Sequence, residues 1–130
     1  MTRSEATVAV VDDDLSVRRG LERLLMAAGY RVETFASARE FLARAAAARP
    51  GCLVLDVSMP SQSGLHLHDA LLAGGYDIPV IFITGAGDTA TASRAMKAGA
   101  AEFLSKPFDD EVLLRAVEHA TARSRPPRGS

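Results

Sequence analysis

The sequence predicts an α/β fold built on a parallel sheet that has helices on both of its faces. Short apolar runs alternate with helical patterns five times along 130 residues. This alternation is typical of right-handed crossovers between parallel strands. The run over residues 52–55 is apolar at every position, as expected of a strand that is covered on both faces. We therefore expect one doubly wound domain with five strands and five helices.

The five predicted strands are short. The first two cover Thr7–Val11 and Arg31–Phe35, and the other three cover residues 52–55, 78–83 and 101–105. Strict alternation of polar and apolar residues identifies the second strand, whereas continuous apolar runs identify the first, third and fourth strands.

Three of the predicted helices carry a start or a stop signal. Asp14 is placed to cap the first helix, and Gly29 follows that helix as a C-terminal stop. Ser37 and Glu40 form a capping box at the start of an Ala-rich second helix. Asp109 is placed to cap the last helix.

Apolar periodicity predicts the buried faces of the helices. Two further helices are expected at about residues 65–72 and 88–98. The inner face of the first helix is predicted to consist of Val17, Leu21, Leu24, Leu25 and Ala28. The inner face of the last helix is predicted to consist of Val112, Leu113, Ala116, Val117 and Ala120.

The composition limits the possible classes of function. The formal net charge of −1 argues against nonspecific nucleic-acid binding. No apolar run approaches the roughly 18 residues of a membrane span, and the first strand begins too early for a signal peptide. The single cysteine, Cys52, lies in an apolar run, so we expect a buried and inert thiol. A lone cysteine cannot form an internal disulfide, which fits a cytoplasmic protein.

The end of the chain differs in composition from the rest. Strand and helix patterns occupy residues 1–122, whereas residues 123–130 are rich in Arg, Pro, Gly and Ser. The second composition is typical of disordered linkers. We expect a folded domain over residues 1–122 and a disordered linker or tail over residues 123–130.

Polar side chains follow four of the five predicted strands. Asp12 and Asp13 follow the first strand and Asp56 follows the third, while Thr84 and Lys106 follow the fourth and fifth. In an open parallel sheet, ligands bind outside the carboxyl ends of the strands. We therefore expect these side chains to form one site, although Asp12 and Asp13 alone would also fit an ordinary acidic turn.

The chemistry of this set fits a divalent cation together with a phosphoryl group. Mg²⁺ takes a few carboxylates and completes its coordination shell with water and phosphate oxygens. Asp56 is the best candidate nucleophile, because carboxylates form acyl phosphates. Lys106 supplies a compact positive charge in a chain that otherwise favours arginine. Thr84 can donate its hydroxyl to a phosphoryl oxygen, and Gly85 beside it leaves room for that oxygen.

The motifs resemble those of receiver domains in bacterial two-component response regulators. The resemblance covers about residues 6–121 and is strongest in the receivers of nitrogen-fixation regulators. The matching segments are Val11-Asp12-Asp13, Leu55-Asp56-Val57-Ser58-Met59-Pro60 followed by Gly64, Ile83-Thr84-Gly85, and Lys106-Pro107-Phe108. The resemblance implies a flavodoxin-like receiver fold with strand order 2-1-3-4-5.

The resemblance also implies how the acidic residues act. Asp56 would accept a phosphoryl group from a phosphohistidine on a sensor histidine kinase. Asp13, Asp56 and the backbone carbonyl of Ser58 would bind Mg²⁺, and Asp12 would act largely through water.

A conformational switch is implied by the same resemblance. Lys106 would hold the phosphoryl group, and Thr84, with Gly85 beside it, would move toward that group. Phe103 would then rotate inward into the vacated space, so that phosphorylation shifts a two-state population. The alternative interpretation of Phe103 is an ordinary core aromatic residue on the fifth strand.

The resemblance further implies partners and an output. Besides the kinase, we expect an altered surface on the last helices and the fifth strand that controls homodimerisation or a partner domain. In nitrogen-fixation regulators a C-terminal DNA-binding domain usually follows the receiver; we expect that domain to lie outside this chain and the output to be transcription. No membrane or direct nucleic-acid contact of the receiver is expected. As an enzyme the domain would catalyse only its own phosphorylation and dephosphorylation.

Three rival functions remain open at this point. A receiver-like scaffold that is never phosphorylated would share the fold, but would normally have lost one of the acids, the threonine or the lysine. A Mg²⁺-dependent phosphatase with an Asp nucleophile usually needs a second Asp two residues later, where this chain has Ser58. A flavodoxin-type cofactor site would place a flavin phosphate against the acidic residues Asp12, Asp13 and Asp14, which would repel it.

Overall fold

Five parallel strands form a single sheet. The structure, a computed structural model, describes residues 7–44, 50–56, 73–74, 78–84, 96–97, 102–105 and 108–124. Its strands are β1 (Thr7–Val11), β2 (Arg31–Phe35), β3 (Cys52–Asp56), β4 (Val80–Thr84) and β5 (Glu102–Ser105). Their order in the sheet is β2-β1-β3-β4-β5, and every neighbouring pair is parallel. The predicted strand order is confirmed.

Three helices have defined bounds within the described residues. They are α1 (Leu15–Ala27), α2 (Ala38–Arg44) and α3 (Asp110–Ser124). The helices expected at about residues 65–72 and 88–98 lie largely outside the described residues, although Met96 and Lys97 are helical. In the part of the chain that is described, no helix is long and apolar enough to cross a membrane.

The helices cover both faces of the sheet, because alternate strand residues point to opposite sides. On one face, α1 and α3 pack over a core that includes Val10, Val54 and Ile83. On the other face, Phe41 of α2 packs into a core around Phe82. The three central strands therefore have two apolar faces to bury, which explains the continuous apolar runs of β1, β3 and β4.

The predicted start and stop signals of α1 are both present. The Asp14 carboxylate accepts hydrogen bonds from the backbone N–H groups of Ser16 and Val17, at 2.9 and 3.2 Å. At the other end Gly29 has a φ of 100°, and the buried Tyr30 donates its backbone N–H to the Leu25 carbonyl. These contacts form a Schellman C-cap, which fixes where the chain leaves α1 and enters β2.

The Ser37 side chain makes the hydrogen bond expected of a capping box at the start of α2. The backbone N–H of Glu40 donates to the Ser37 hydroxyl at 3.1 Å. The rings of Phe41 and Phe35 then meet in an edge-to-face arrangement, with ring centroids 5.6 Å apart. The cap therefore places the first large apolar residue of α2, Phe41, directly against the end of β2.

Two glycines in this region should respond to alanine in opposite directions. Gly29→Ala should lower the free energy of unfolding by about 1 kcal/mol or more, because a side chain disfavours its positive φ. Gly20→Ala should raise the free energy of unfolding by about 0.5–1 kcal/mol, because Gly20 is exposed inside α1 with open space around it. Urea denaturation of the two variants checks both signs, and a stable Gly29→Ala protein would contradict the assigned C-cap.

The predicted inner face of α3 is wrong at one residue, Val112. Val112 is 44% exposed, whereas the other four predicted residues are buried. Thr121 is buried in addition, and its hydroxyl donates to the Val117 carbonyl at 2.9 Å. This bond satisfies the hydroxyl within the helix, so a polar residue is tolerated against the core. The helix ends at Ser124, two residues beyond the predicted boundary at residue 122.

Candidate functional site

The register of the strands brings three of the predicted site residues to one edge of the sheet. Val11 pairs with Leu55, so Asp12 continues from β1 beside Asp56 at the end of β3. Asp56 pairs in turn with Ile83, and Thr84 is the next residue of β4. The prediction that these carboxyl ends of the strands meet at one edge is therefore confirmed for β1, β3 and β4.

Three carboxylates form an acidic cluster at this edge, which consists of Asp12, Asp13 and Asp56. One oxygen of each residue lies within 4.8 Å of an oxygen of the other two. Asp12 and Asp56 are buried, with 2% and 7% of their surfaces exposed, whereas Asp13 is exposed. Buried carboxylates at this spacing repel one another unless a cation lies between them. The cluster therefore has the ligands and the geometry for a divalent cation.

The turn that carries Asp12 and Asp13 is held by hydrogen bonds to the backbone and the side chain of Asp12. The Asp12 backbone N–H donates to the Phe35 carbonyl at 3.2 Å. The Oδ1 atom of Asp12 accepts the backbone N–H of Asp14 at 2.9 Å. A guanidinium nitrogen of Arg18 donates to the Asp12 carbonyl oxygen at 2.7 Å. The end of β2 and the first turn of α1 thus position Asp12 from two sides.

The sequence patterns did not identify Arg18. The position of Arg18 in the first turn of α1 could have drawn attention to it, because cations are disfavoured at the positive end of a helix dipole. A basic residue at such a place suggests a specific partner, and that partner is the backbone of the acidic turn.

Thr84 and Phe103 lie on the neighbouring strands β4 and β5. Thr84 is completely buried at the end of β4. Phe103 on β5 pairs with Phe82, which lies two residues before Thr84. Phe103 is half-buried and packs at the margin of the core cluster that contains Phe82. Its ring is therefore neither fully enclosed nor free in solvent.

Three further predicted site residues lie outside the described residues. They are Ser58, Gly85 and Lys106. Ser105, the residue before Lys106 in the chain, pairs with Thr84 at the same edge of the sheet.

Cys52 takes no part in the site. It lies at the opposite end of β3 and is completely buried. Burial raises the pKa of the Cys52 thiol well above its usual range, so the thiol stays protonated. The prediction of a buried thiol is confirmed.

A parallel sheet of order 2-1-3-4-5 with helices on both faces defines a flavodoxin-like domain, and its ligands bind at the edge where the acidic cluster lies. The family model of the response regulator receiver domain matches residues 8–118. The chain belongs to this family and is a receiver domain of two-component response regulators. Membership favours this function over the phosphatase and flavin-binding alternatives.

Several bacterial regulators are similar in sequence. Nodulation protein W of Bradyrhizobium diazoefficiens is 49% identical over 122 residues, which cover 94% of this chain and 54% of that protein. The transcriptional regulatory protein FixJ of Rhizobium meliloti is 44% identical over 118 residues, which cover 91% of this chain and 58% of FixJ. The chain thus spans little more than half the length of these relatives.

Solved structures show the same fold. The crystal structure of FixJ-N has a TM-score of 0.88 at 43% identity, and the match covers 94% of this chain and 98% of FixJ-N. Full-length FixJ from B. japonicum has a TM-score of 0.87 at 38% identity, with 94% of this chain and 60% of that chain covered. The predicted similarity to receivers of nitrogen-fixation regulators is confirmed.

Proposed function

We propose that Asp56 accepts a phosphoryl group in a Mg²⁺-dependent reaction, and that the phosphorylated state is the signal. The main support for this proposal is the acidic cluster. A carboxylate oxygen of Asp56 lies within 4.8 Å of carboxylate oxygens of Asp12 and Asp13, at the edge of the sheet where ligands bind. Membership of the receiver family supports it. The donor is a phosphohistidine on a sensor histidine kinase.

The transfer is a displacement at phosphorus. An oxygen of the Asp56 carboxylate forms a bond to phosphorus while the bond between phosphorus and the donor atom breaks, and the leaving group departs with that electron pair. The product is an acyl phosphate. The position of Asp56 at the end of a central strand holds the nucleophile on a rigid element and leaves the edge of the sheet for the donor.

The donor set fits Mg²⁺. Hard oxygen ligands from one or two carboxylates, a carbonyl and water are what this cation prefers. Asp13, Asp56 and the backbone carbonyl of Ser58 would hold the ion, and Asp12 would act through water. When bound, Mg²⁺ would neutralise charge on the transferred phosphoryl oxygens.

Two further residues complete the phosphoryl site in this proposal. Lys106 holds the phosphoryl oxygens from the side of β5, with a compact ammonium. Thr84 donates its hydroxyl to a phosphoryl oxygen beside Gly85. The movement of Thr84 draws Phe103 further into the core, and the surface of β5 and the neighbouring helices changes.

The altered surface controls an output partner or a homodimer. Several relatives carry names that describe transcriptional regulation, among them TdiR of Thauera aromatica and FixJ. Since the chain covers little more than half of these relatives, we propose that a DNA-binding domain in the same signalling protein or a partner supplies the transcriptional output, in the cytoplasm. The receiver itself catalyses only its own phosphorylation and dephosphorylation.

The direct test is incubation with a small phosphodonor, followed by intact-mass measurement. Acetyl phosphate with Mg²⁺ should produce a single phosphoryl adduct, and removal of Mg²⁺ with a chelator should prevent it, because the phosphoryl charge is then not neutralised. Circular dichroism before and after chelation controls for loss of fold. A folded protein that gives no adduct with either acetyl phosphate or a phosphorylated kinase would support the scaffold interpretation instead.

A further inference from the structure

We propose that Arg18 is a positioning residue that sets the affinity of the acidic cluster for its cation. Arg18 acts by holding the main chain of Asp12. This inference rests on the proposed function of the cluster as a Mg²⁺ site, and it assigns a part of that function to a residue outside the motifs.

Both peptide groups that flank the Cα atom of Asp12 are held. On one side the Asp12 N–H donates to the Phe35 carbonyl at 3.2 Å. On the other side the Arg18 guanidinium donates to the Asp12 carbonyl at 2.7 Å, in a partly buried contact. A hydrogen bond from a charged donor is shorter and stronger than a neutral one. The main-chain torsions of Asp12 are therefore fixed from both ends.

The contact from Arg18 also orients Asp13. The Asp12 carbonyl and the Asp13 N–H belong to one planar peptide group, so holding the carbonyl holds the plane that joins the two acids. Asp13 is exposed, whereas Asp12 is buried. The plane of this peptide determines how the exposed carboxylate approaches the buried Asp56.

Arg18 is itself anchored in a capped helix. Its backbone N–H donates to the Asp14 carbonyl at 2.9 Å, and the Asp14 carboxylate caps α1. The side chain then returns along the helix to the Asp12 carbonyl. The turn formed by residues 12–14 and the first turn of α1 are consequently joined by hydrogen bonds from both the backbone and the side chain of Arg18. Asp12 and Asp13 are therefore held by the helix.

Electrostatics and positioning predict opposite effects of Arg18. A cation near a metal site repels the metal, so on charge alone the loss of Arg18 would strengthen Mg²⁺ binding. If Arg18 instead holds the ligands in place, its loss weakens binding, as the loss of groups that orient metal ligands does. The direction of the change in affinity therefore separates the two effects.

The test is the Mg²⁺ affinity of Arg18→Met, measured by titrating the metal alone and following backbone amide NMR shifts. Arg18→Met should bind Mg²⁺ about 10-fold more weakly than the wild-type protein. Arg18→Lys, which keeps a charged donor on a long side chain, should restore most of the affinity. Arg19→Met is the matched control, because it removes the same charge from the neighbouring exposed position and should bind no more weakly than the wild type.

Equal or tighter Mg²⁺ binding by Arg18→Met would overturn the inference alone, provided that the wild-type protein binds Mg²⁺. Absence of Mg²⁺ binding by the folded wild-type protein would overturn the proposed function, and this inference with it. Amide spectra without metal report whether each variant is folded. Arg18→Gln, which is neutral and too short to reach the Asp12 carbonyl, provides the same test if Arg18→Met does not fold.

Discussion

Asp56→Asn should abolish the phosphoryl adduct formed with acetyl phosphate and Mg²⁺. The substitution keeps the size and shape of a side chain that is only 7% exposed, so the fold should be retained. The neutral amide is not a comparable nucleophile and offers one metal-binding oxygen instead of two. We expect the initial rate of adduct formation, followed by intact mass, to fall by more than about 100-fold, consistent with losses seen when a reacting group is removed.

Two matched controls isolate the effect of position 56. Asp110→Asn makes the same chemical change at an exposed position in the first turn of α3. Asp14→Asn makes it next to the cluster, and asparagine caps helices as well as aspartate does. Both variants should form the adduct at close to the wild-type rate. An adduct that persists in Asp56→Asn would identify a different nucleophile.

Asp13→Asn should raise the melting temperature of the metal-free protein and lower its affinity for Mg²⁺. In the absence of divalent cations the three carboxylates repel one another, and two like charges about 5 Å apart in water cost about 1 kcal/mol. The variant should therefore unfold at a higher temperature than the wild-type protein when no metal is present. It should also lose at least about 10-fold in Mg²⁺ affinity, so that added Mg²⁺ no longer raises its melting temperature as it does for the wild type.

Thermal unfolding with and without Mg²⁺ measures both effects in one experiment. Asp14→Asn is again the matched control, since the Asp14 carboxylate accepts two backbone hydrogen bonds in the cap of α1. It should keep the Mg²⁺-dependent rise. If the metal stabilised Asp13→Asn as much as the wild-type protein, Asp13 would not be a ligand.

The sheet was predictable because its three central strands, β1, β3 and β4, are buried on both faces. A strand such as β3, with apolar residues at every position, leaves few alternatives for its structure. The caps of α1 were predictable as well, since Asp14 and Gly29 act through their own local chemistry. Val112 was assigned to the core of α3 wrongly, because periodicity places a residue on a helical face but does not show how far the neighbouring layer extends.

The acidic cluster was predictable from residue type and strand position together. Asp12 and Asp56 each follow an apolar run, and the parallel register then brings them together. Which of the acids are buried and which is exposed depends on the depth of each strand end, which the sequence does not reveal. The contact from Arg18 was missed because its partner is a backbone carbonyl, which no residue type identifies. The only signal in the sequence was a cation at the N-terminal end of a helix.

The proposed function depends above all on Asp56 as the residue that carries the phosphoryl group. The measurement that tests it most directly is borohydride reduction of the phosphorylated protein, followed by peptide mass spectrometry, because an acyl phosphate of aspartate is reduced to homoserine. We expect homoserine at position 56 only, and only after incubation with both phosphodonor and Mg²⁺. Homoserine at position 12 or 13, or a phosphoryl adduct that borohydride does not convert, would contradict it.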